Sequence, residues 1–531
     1  MVAHGTVCAV HIGVWRVYGS EIELVSEEVA GPSVVEVLTK GRIVDLVCKR
    51  YFADKSATDP AYAFVPIVPG ADNPQCRADP DVQASVATFT LVISVLTGTL
   101  SALTAPKLGS LSDRYGRKRL IVISSFGAIV GEVITILAAK YPDLIHYQWL
   151  LIGAFFDGLT GSFTAGSVLS HAYTSDCTPP SKRSVAIGYL HACLFTGLAF
   201  GPLIAGYLVE WTGSLLSIFY ITLGCHVFFI LFLTFAVPES LSIKRQLIAR
   251  ERHAAKIANL APPPRWVLNI AAHIPLGDHM SETIRSAKAA NPLSPLSILF
   301  PKGSHNAHLR RNFFILAFID MSLLGAVMGA GTVTILYTGY MFGWGTLESS
   351  RYVSMVSMVR VVVLMCVFPV VNYIFRTLPH ARRRREEGGP PIVEKNAGAD
   401  MLDLWVLRSA LLSDVIGSVG YIFVRTEPLF VLCAIITGLG GMGSATIQAA
   451  LTKHVPAERV GGLLGAIGLL HSLARVFSPI AFNGLYAATV KFFPQAFFVL
   501  LAGLFTASLA MSSLLRPHGK FVSLFDLGDS S

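Results

Sequence analysis

The chain has 531 residues, 53% of them apolar and only 14% charged, with a formal net charge of +9. Soluble proteins carry about 25% charged residues, so this composition, with its mean hydropathy of +0.58, rules out a large water-soluble core and describes a membrane protein. The excess positive charge sits in loops between apolar runs, which speaks against a nucleic-acid surface and for contact with an anionic leaflet.

In chain order, residues 1–83 are atypical. The stretch VAGPSVVEVLTKGRIVDLVCKRYF, 29–52, stands where a first membrane span is expected, yet Glu36, Lys40, Arg42 and Asp45 fall inside any 20-residue window of it. Charged residues at mid-membrane cost roughly 2.5 kcal/mol or more each, so this span is degenerate. Residues 1–18 are too short to cross and lack the Lys or Arg that opens a signal peptide. The eight cysteines form no CxxC pair and no metal-ligand spacing. They are expected as small buried apolar residues, with a Cys48–Cys76 bridge open if the segment between them faces an oxidising exterior.

Eleven clear spans follow, each near the ~20 apolar residues that a bilayer requires. They cover 84–106, 120–139, 147–169, 185–209 and 214–236, then 312–337, 350–375, 402–423, 428–450, 462–486 and 493–515. Alternate loops hold 26 Lys and Arg, whereas the intervening ones hold only Lys140, Arg351, Arg425 and Lys491. That bias places the basic loops in the cytoplasm. The long connector 237–311 contains IKRQLIARERHAAKIANL, expected as a basic amphipathic helix on the membrane surface. APPPR and NPLSP after it are irregular linker, and ARRRREE at 381–387 is a solvated charge run.

The expected domains are therefore 1–83, a bundle over 84–236, the cytoplasmic connector 237–311, a second bundle over 312–516, and a cytoplasmic tail 517–531. A weak internal repeat supports two halves. CTPPSKRSVAIG (177–188) matches HVPAERVGGLLG (454–465), each giving Pro-x-x-Arg, Pro180/Arg183 and Pro456/Arg459, before a small-residue helix start.

Ionisable residues within spans suggest function. Asp157 and Asp320 are the first candidates for carrying protons, because a carboxylate in a low dielectric can cycle between charge states. Asp320 and Arg360 enter from opposite faces to depths of roughly 13 and 15 Å at 1.5 Å per residue, so an ion pair between them is expected. Asp414, His471 and Arg475 are further cavity candidates, together with the glycine-rich TGLGGMGSATIQ (437–448).

The segment KLGSLSDRYGRKR, 107–119, is the most specific signal. Gly109-x-x-x-Asp113-Arg114-x-Gly116-Arg117-Lys118 resembles the signature loop of the major facilitator superfamily. GLAFGPLIAG (197–206) resembles that superfamily's antiporter motif through Gly197, Gly201, Pro202 and Gly206, and VPES (237–240) is also similar. The nearest branch looks like the drug:proton antiporters of tetracycline-resistance type, in their fungal form. The resemblance implies an all-α membrane protein of two six-helix bundles related by a pseudo-two-fold repeat, twelve spans in all. It implies that Asp113 sits at the helix N-terminus around Gly461 and Gly462, that Arg117 pairs with Asp176, and that with Arg183 these residues lock the cytoplasmic face. The family's antiporters have an Arg before the pair equivalent to Gly158 and Gly161; here that position holds Ala154, and Asp157 follows one turn later.

The function expected is secondary transport of a small molecule by alternating access, driven by a proton gradient and directed outward. No cofactor, metal or nucleic acid is expected; the partners are substrate and lipid, and the protein acts as a monomer in the plasma or vacuolar membrane. The rival readings are proton-coupled nutrient uptake, or a non-transporting sensor or scaffold if the first helix is lost. An enzyme is not expected, since HExxH, GxSxG and Walker loops are absent.

Overall fold

The computed structural model describes residues 46–52, 55, 80–142, 144–214, 216–258, 294–301, 306–379, 382 and 398–517. Most of the degenerate first span, Cys8, Cys76, the linker APPPR, residues 291–293 of NPLSP, most of the 381–387 run and the tail beyond 517 lie outside these residues; Ser294 and Pro295, expected as irregular linker, open a short 3-10 helix, Ser294–Leu299. Among the described residues the regular structure is entirely helical.

The first half contains α1 (Pro80–Tyr115), α2 (Arg117–Lys140), α3 (Leu150–Leu159), α4 (Ser162–Cys177), α5 (Arg183–Thr212) and α6 (Leu216–Phe235). The surface helix α7 (Ile243–Ala258) follows. The second half contains α8 (Ala307–Phe342), α9 (Thr346–Val362), α10 (Met401–Phe423), α11 (Glu427–Gly438), α12 (Gly441–Lys453), α13 (Val460–Thr489) and α14 (Ala496–Ser512). Two turns of π-helix, Val363–Val367 and Tyr373–Thr377, carry α9 on to residue 377.

Nine of the described helical segments are long and apolar enough to cross a membrane. Two of the eleven expected spans fall short by that measure for visible reasons. The 17-residue α14 is apolar but short. The span expected at 147–169 is split by a break into α3 and α4, at Thr160–Gly161, where Gly161 has φ 88° and Ser162 φ 52°. Its counterpart in the second half is also split, between α11 and α12 at Leu439–Gly440. Gly158, Gly161, Gly438 and Gly440 supply the freedom and the close approach that such breaks need.

The basic segment 107–119 is not a loop. α1 stays helical through Lys107, Asp113 and Arg114, and the chain reverses at Gly116 alone, whose φ of 101° suits only glycine. A side chain there would strike the Glu239 carboxylate.

Near the opposite face, the helical stretch 46–52 buries Val47, Cys48 and Phe52 against Val82, Val86, Phe89, Ala138 and Leu150. The end of the supposedly degenerate stretch therefore completes the core of the first half. Cys48 is disulfide-bonded, whereas Cys177, Cys193, Cys225, Cys366 and Cys433 are not in disulfides; Cys76 lies outside the described residues.

The halves meet where α1 runs along α13 and α5 runs along α9 and α12. Small residues permit this. Gly109 faces the backbone of Gly461 and Gly465, and Gly465 faces the backbone of Pro106, so a Cβ at either would meet main chain within about 3 Å. Apolar packing continues across the seam, with Ile187 and Ala192 against Leu364, Phe368, Val406 and Ala445. Large apolar side chains such as Phe126, Phe228 and Phe423 point outward, as suits a lipid-facing surface.

Candidate functional site

The basic face brings the signature residues together. Asp113, at the end of α1, accepts hydrogen bonds from the backbone N–H of Gly461 (3.1 Å) and Gly462 (2.8 Å) in the first turn of α13. Free amides and the helix dipole favour an anion there. Arg117, fully buried, pairs with Asp113 at 2.6 Å and with Asp176 at 3.0 Å, and donates to Ser112 Oγ at 2.5 Å. A side chain at Gly461 would collide with the Arg117 guanidinium and with Asp113.

Lys118 Nζ donates to Thr234 O at 2.8 Å, and Arg114 Nε donates to Ser110 O at 3.2 Å. Arg183 donates to Ser175 O at 3.1 Å and to Thr452 Oγ1 at 3.4 Å, the latter across the seam. Glu239 of VPES accepts from the backbone N–H of Arg117 (2.8 Å) and Lys118 (3.2 Å) and so caps α2. The sequence showed VPES as similar to a family feature but not what the Glu does.

An equivalent network in the second half escaped sequence reading. Arg376 pairs with Asp400 at 2.6 Å and with Asp403 at 2.8 Å, and Lys453 pairs with Asp403 at 2.5 Å. The chain order at matching helix ends is acid, base, acid in the first half (Asp113, Arg117, Asp176). It is base, acid, base in the second (Arg376, Asp403, Lys453), so every sign is reversed. This cluster also crosses the seam, through Ser184 Oγ donating to Asp403 at 3.1 Å and Arg376 donating to Ser181 O at 2.8 Å.

Deeper in the bundle, the expected Asp320–Arg360 pair does not form. Asp320 instead accepts from Gln448 Nε2 at 2.9 Å and is paired with His471 Nε2 at 2.6 Å. The two depths matched, but the side chains point to different helices. Arg360 lies over the Phe195 ring, 4.8 Å from its centroid, and within electrostatic reach of Asp414. The Asp414 carboxylate packs against Gly440 at the α11–α12 break. Asp157, which showed no partner in the sequence, is hydrogen-bonded to Ser162 at the α3–α4 break and lies within electrostatic reach of Arg475. Arg475 in turn lies over the Phe163 ring, 5.5 Å from its centroid. Each break thus has a carboxylate beside it and an Arg from the other elements facing that carboxylate.

The antiporter-motif residues Gly197, Gly201, Pro202 and Gly206 all lie in α5, where Gly197 and Gly201 are buried; the surroundings of Pro202 and Gly206 are outside the described residues. The hydrogen bonds that join the two halves among the described residues run from the basic face to about mid-membrane, ending near Ser101, Thr164 and Ser472. The structure is therefore closed on the basic side. Such an arrangement can hold the two halves together at one face.

The model of the Major Facilitator Superfamily matches residues 61–385. The MFS-type transporter avaJ of Aspergillus versicolor is 31% identical over 427 residues, 80% of this chain and 76% of that protein. The class H tetracycline resistance protein of Pasteurella multocida is 24% identical over 409 residues, 77% of this chain and 82% of that protein. Among solved structures, the human organic anion transporter MFSD10 has the same fold, with a TM-score of 0.62 at 16% identity, covering 93% of this chain and 98% of that one. With paired helical bundles, helices long enough to cross a bilayer and this match over more than half its length, the chain belongs to the Major Facilitator Superfamily, as a multi-pass membrane transporter.

Proposed function

We propose that the protein exports a small molecule in exchange for protons, by rocking of its two halves about a central cavity. In this reading 84–236 and 312–516 are the rocking bundles. The basic face is cytoplasmic, with 237–311 as its connector and 517–531 as its tail, while 1–83 supply the degenerate first span and an external loop. The observation that carries the reading is the bridge from Asp113 to the N-terminus of α13. It joins the two halves through groups that can be released without disturbing either bundle, and Arg117 and Asp176 hold Asp113 in place. Breaking it opens the cytoplasmic face.

Proton coupling is supported by Asp157, Asp320 and Asp414 inside the bundle and by likeness to tetracycline resistance proteins. Export is supported by that likeness and by the α5 motif. The two broken helices, with Arg360 and Arg475 nearby, line the cavity and contact substrate. The protein works as a monomer in the plasma or vacuolar membrane, by transport and not by catalysis.

The test uses purified protein in liposomes loaded with a pH-sensitive dye, with tetracycline as the first probe and a panel of amphiphilic compounds after it. Compound-dependent proton movement is expected from the wild type, and its loss from Asp113→Asn with insertion unchanged. Normal flux in Asp113→Asn overturns the bridge as a working part. Absence of proton movement with every compound favours the scaffold reading, and flux that needs a pH gradient of the opposite sense favours uptake.

A further inference from the structure

The surface helix α7 turns part of its apolar surface outward. At about 100° per residue, Ile243, Leu247, Arg250 and Ala254 fall on one stripe about 60° wide. All four are exposed, Ile243 at 76% and Leu247 at 48%. Lys244 and Glu251 flank this stripe, while Arg245, Ile248, Ala249 and His253 on the other side are half-buried. A helix that served only to cover the bundle would turn Ile243 and Leu247 inward.

α7 also lies across the seam. In the first half it meets the end of α1, where Arg250 Nε donates to the Arg114 carbonyl at 2.9 Å. The Arg250 guanidinium lies 5.0 Å from the centroid of the exposed Tyr115 ring, and that of Arg114 lies 6.0 Å from the same centroid. In the second half, Arg252 pairs with Glu458 at 3.8 Å, in the turn that leads into α13, and Arg459 of that turn is within electrostatic reach of Arg252.

Two guanidiniums beside one tyrosine ring repel each other, and no carboxylate among the described residues pairs with either. Each commits its Nε to a backbone carbonyl, Ser110 O for Arg114 and Arg114 O for Arg250, and keeps its terminal nitrogens for another acceptor. The nearby acids do not supply one. Asp113 is buried with Arg117 and the Gly461 and Gly462 amides, and Glu458 is engaged by Arg252. Lys107 adds a further cation. It is exposed, seven residues before Arg114 on the same face of α1, and so roughly 10 Å closer to the membrane core. A lysine exposed at that height on a spanning helix snorkels towards the headgroup layer.

We propose that the exposed stripe of α7, together with Lys107, Arg114 and Tyr115, is a docking surface for the headgroups of anionic phospholipids in the adjoining leaflet. The terminal nitrogens of Arg114 and Arg250 take the phosphate oxygens, for which a guanidinium fork is suited. Ile243 and Leu247 enter the acyl boundary beside it, and Tyr115 sits at headgroup level. The bound anion removes the repulsion between the two guanidiniums. A soluble phosphate would account for the arginines but not for the outward Ile243 and Leu247 or for Lys107; a leaflet accounts for all of them.

The test uses the full chain in nanodiscs of phosphatidylcholine alone, or of phosphatidylcholine mixed with phosphatidylserine. Hydrogen exchange is followed in the peptide 243–258. Phosphatidylserine should slow exchange there by about tenfold or more, since each cation at an anionic surface strengthens attachment about fivefold. Arg114→Gln with Arg250→Gln should abolish this response, and Ile243→Ser with Leu247→Ser should weaken it. Arg382→Gln, at an exposed cation in the basic run of the second half, should keep it. The ratio between the two lipids is taken within each protein, so a variant that merely loosens α7 shifts both values and leaves the ratio. Equal exchange in both lipids, or a full response in the double arginine variant, overturns the docking surface. Inorganic phosphate added to phosphatidylcholine nanodiscs should not reproduce the effect; if it does, the site takes a soluble anion and the lipid assignment falls. A photoreactive amino acid encoded at Leu247 should crosslink to lipid, and absence of any lipid adduct also overturns the proposal. None of these readouts requires transport, so the proposed function is tested separately.

Discussion

Replacing Asp403 with Asn tests the sign-reversed network of the second half. Asp403 is buried and binds Lys453 Nζ at 2.5 Å, Arg376 at 2.8 Å and the Ser184 hydroxyl at 3.1 Å. Arg376 keeps Asp400 at 2.6 Å after the substitution, but Lys453, 3% exposed, is left as a buried cation without its anion. Removing one partner of such a pair costs about 3–5 kcal/mol. Removing both is far milder, because an apolar residue of similar volume needs no counter-charge. Asp403→Asn should therefore lose about 3–5 kcal/mol in a reversible SDS-unfolding titration, and Asp403→Asn with Lys453→Met should recover most of it. The cycle isolates the pair from the separate effects of the two side chains. An Asp403→Asn protein as stable as the wild type, or a double variant worse than the sum of the singles, would refute this account of the network.

Two further outcomes follow from the geometry. Gly461→Ala places a methyl group against the Arg117 guanidinium, the Gly109 carbonyl and Asp113, where main chain cannot give way. It should push α13 from α1 and raise hydrogen exchange at the α13 N-terminus, whereas Gly503→Ala, with open space at that position, should not. Asp157→Asn keeps a group able to bond with Ser162 but removes the charge facing Arg475. If Asp157 contributes to substrate binding more than to proton transfer, it should change compound affinity while the pH dependence of flux remains; loss of pH dependence assigns it the proton instead.

The parts of the site visible in the sequence were those encoded within one short segment. Asp113, Gly116 and Arg117 lie within five residues and carry a family pattern, and nine of the eleven expected spans coincide with described helical segments long and apolar enough to cross a membrane, because uninterrupted apolar runs mark them. The second network has no such segment. Arg376, Asp403 and Lys453 come from three helix ends across 78 positions, and their signs oppose those of the first network, so a search for a repeat of the motif passes over them. Glu239 caps a helix 122 residues earlier in the chain, a relation only the fold creates.

The expected Asp320–Arg360 pair failed for a different reason. Position along a helix gives depth, but each residue also turns the side chain by about 100° around the axis. Depth alone cannot say which neighbour it meets. His191 carries no signal in the sequence, because a lone histidine in an apolar helix gives no indication of the His171 ring that it meets on the neighbouring helix. The helix breaks were half-legible. Their glycines stand out in FFDGLTG and TGLGG, but that both spans split at equivalent places needs the coordinates.

The central claim is that the Asp113 bridge holds the basic face closed. The most direct measurement is the distance between spin labels at Arg119 and Met401, exposed positions on that face in opposite halves, introduced as encoded amino acids so that the native cysteines stay in place. Pulsed dipolar spectroscopy on the wild type in nanodiscs should give one dominant short distance. Asp113→Asn should shift population to a longer one, with both bundles still folded. An unchanged distance distribution in Asp113→Asn would contradict the account.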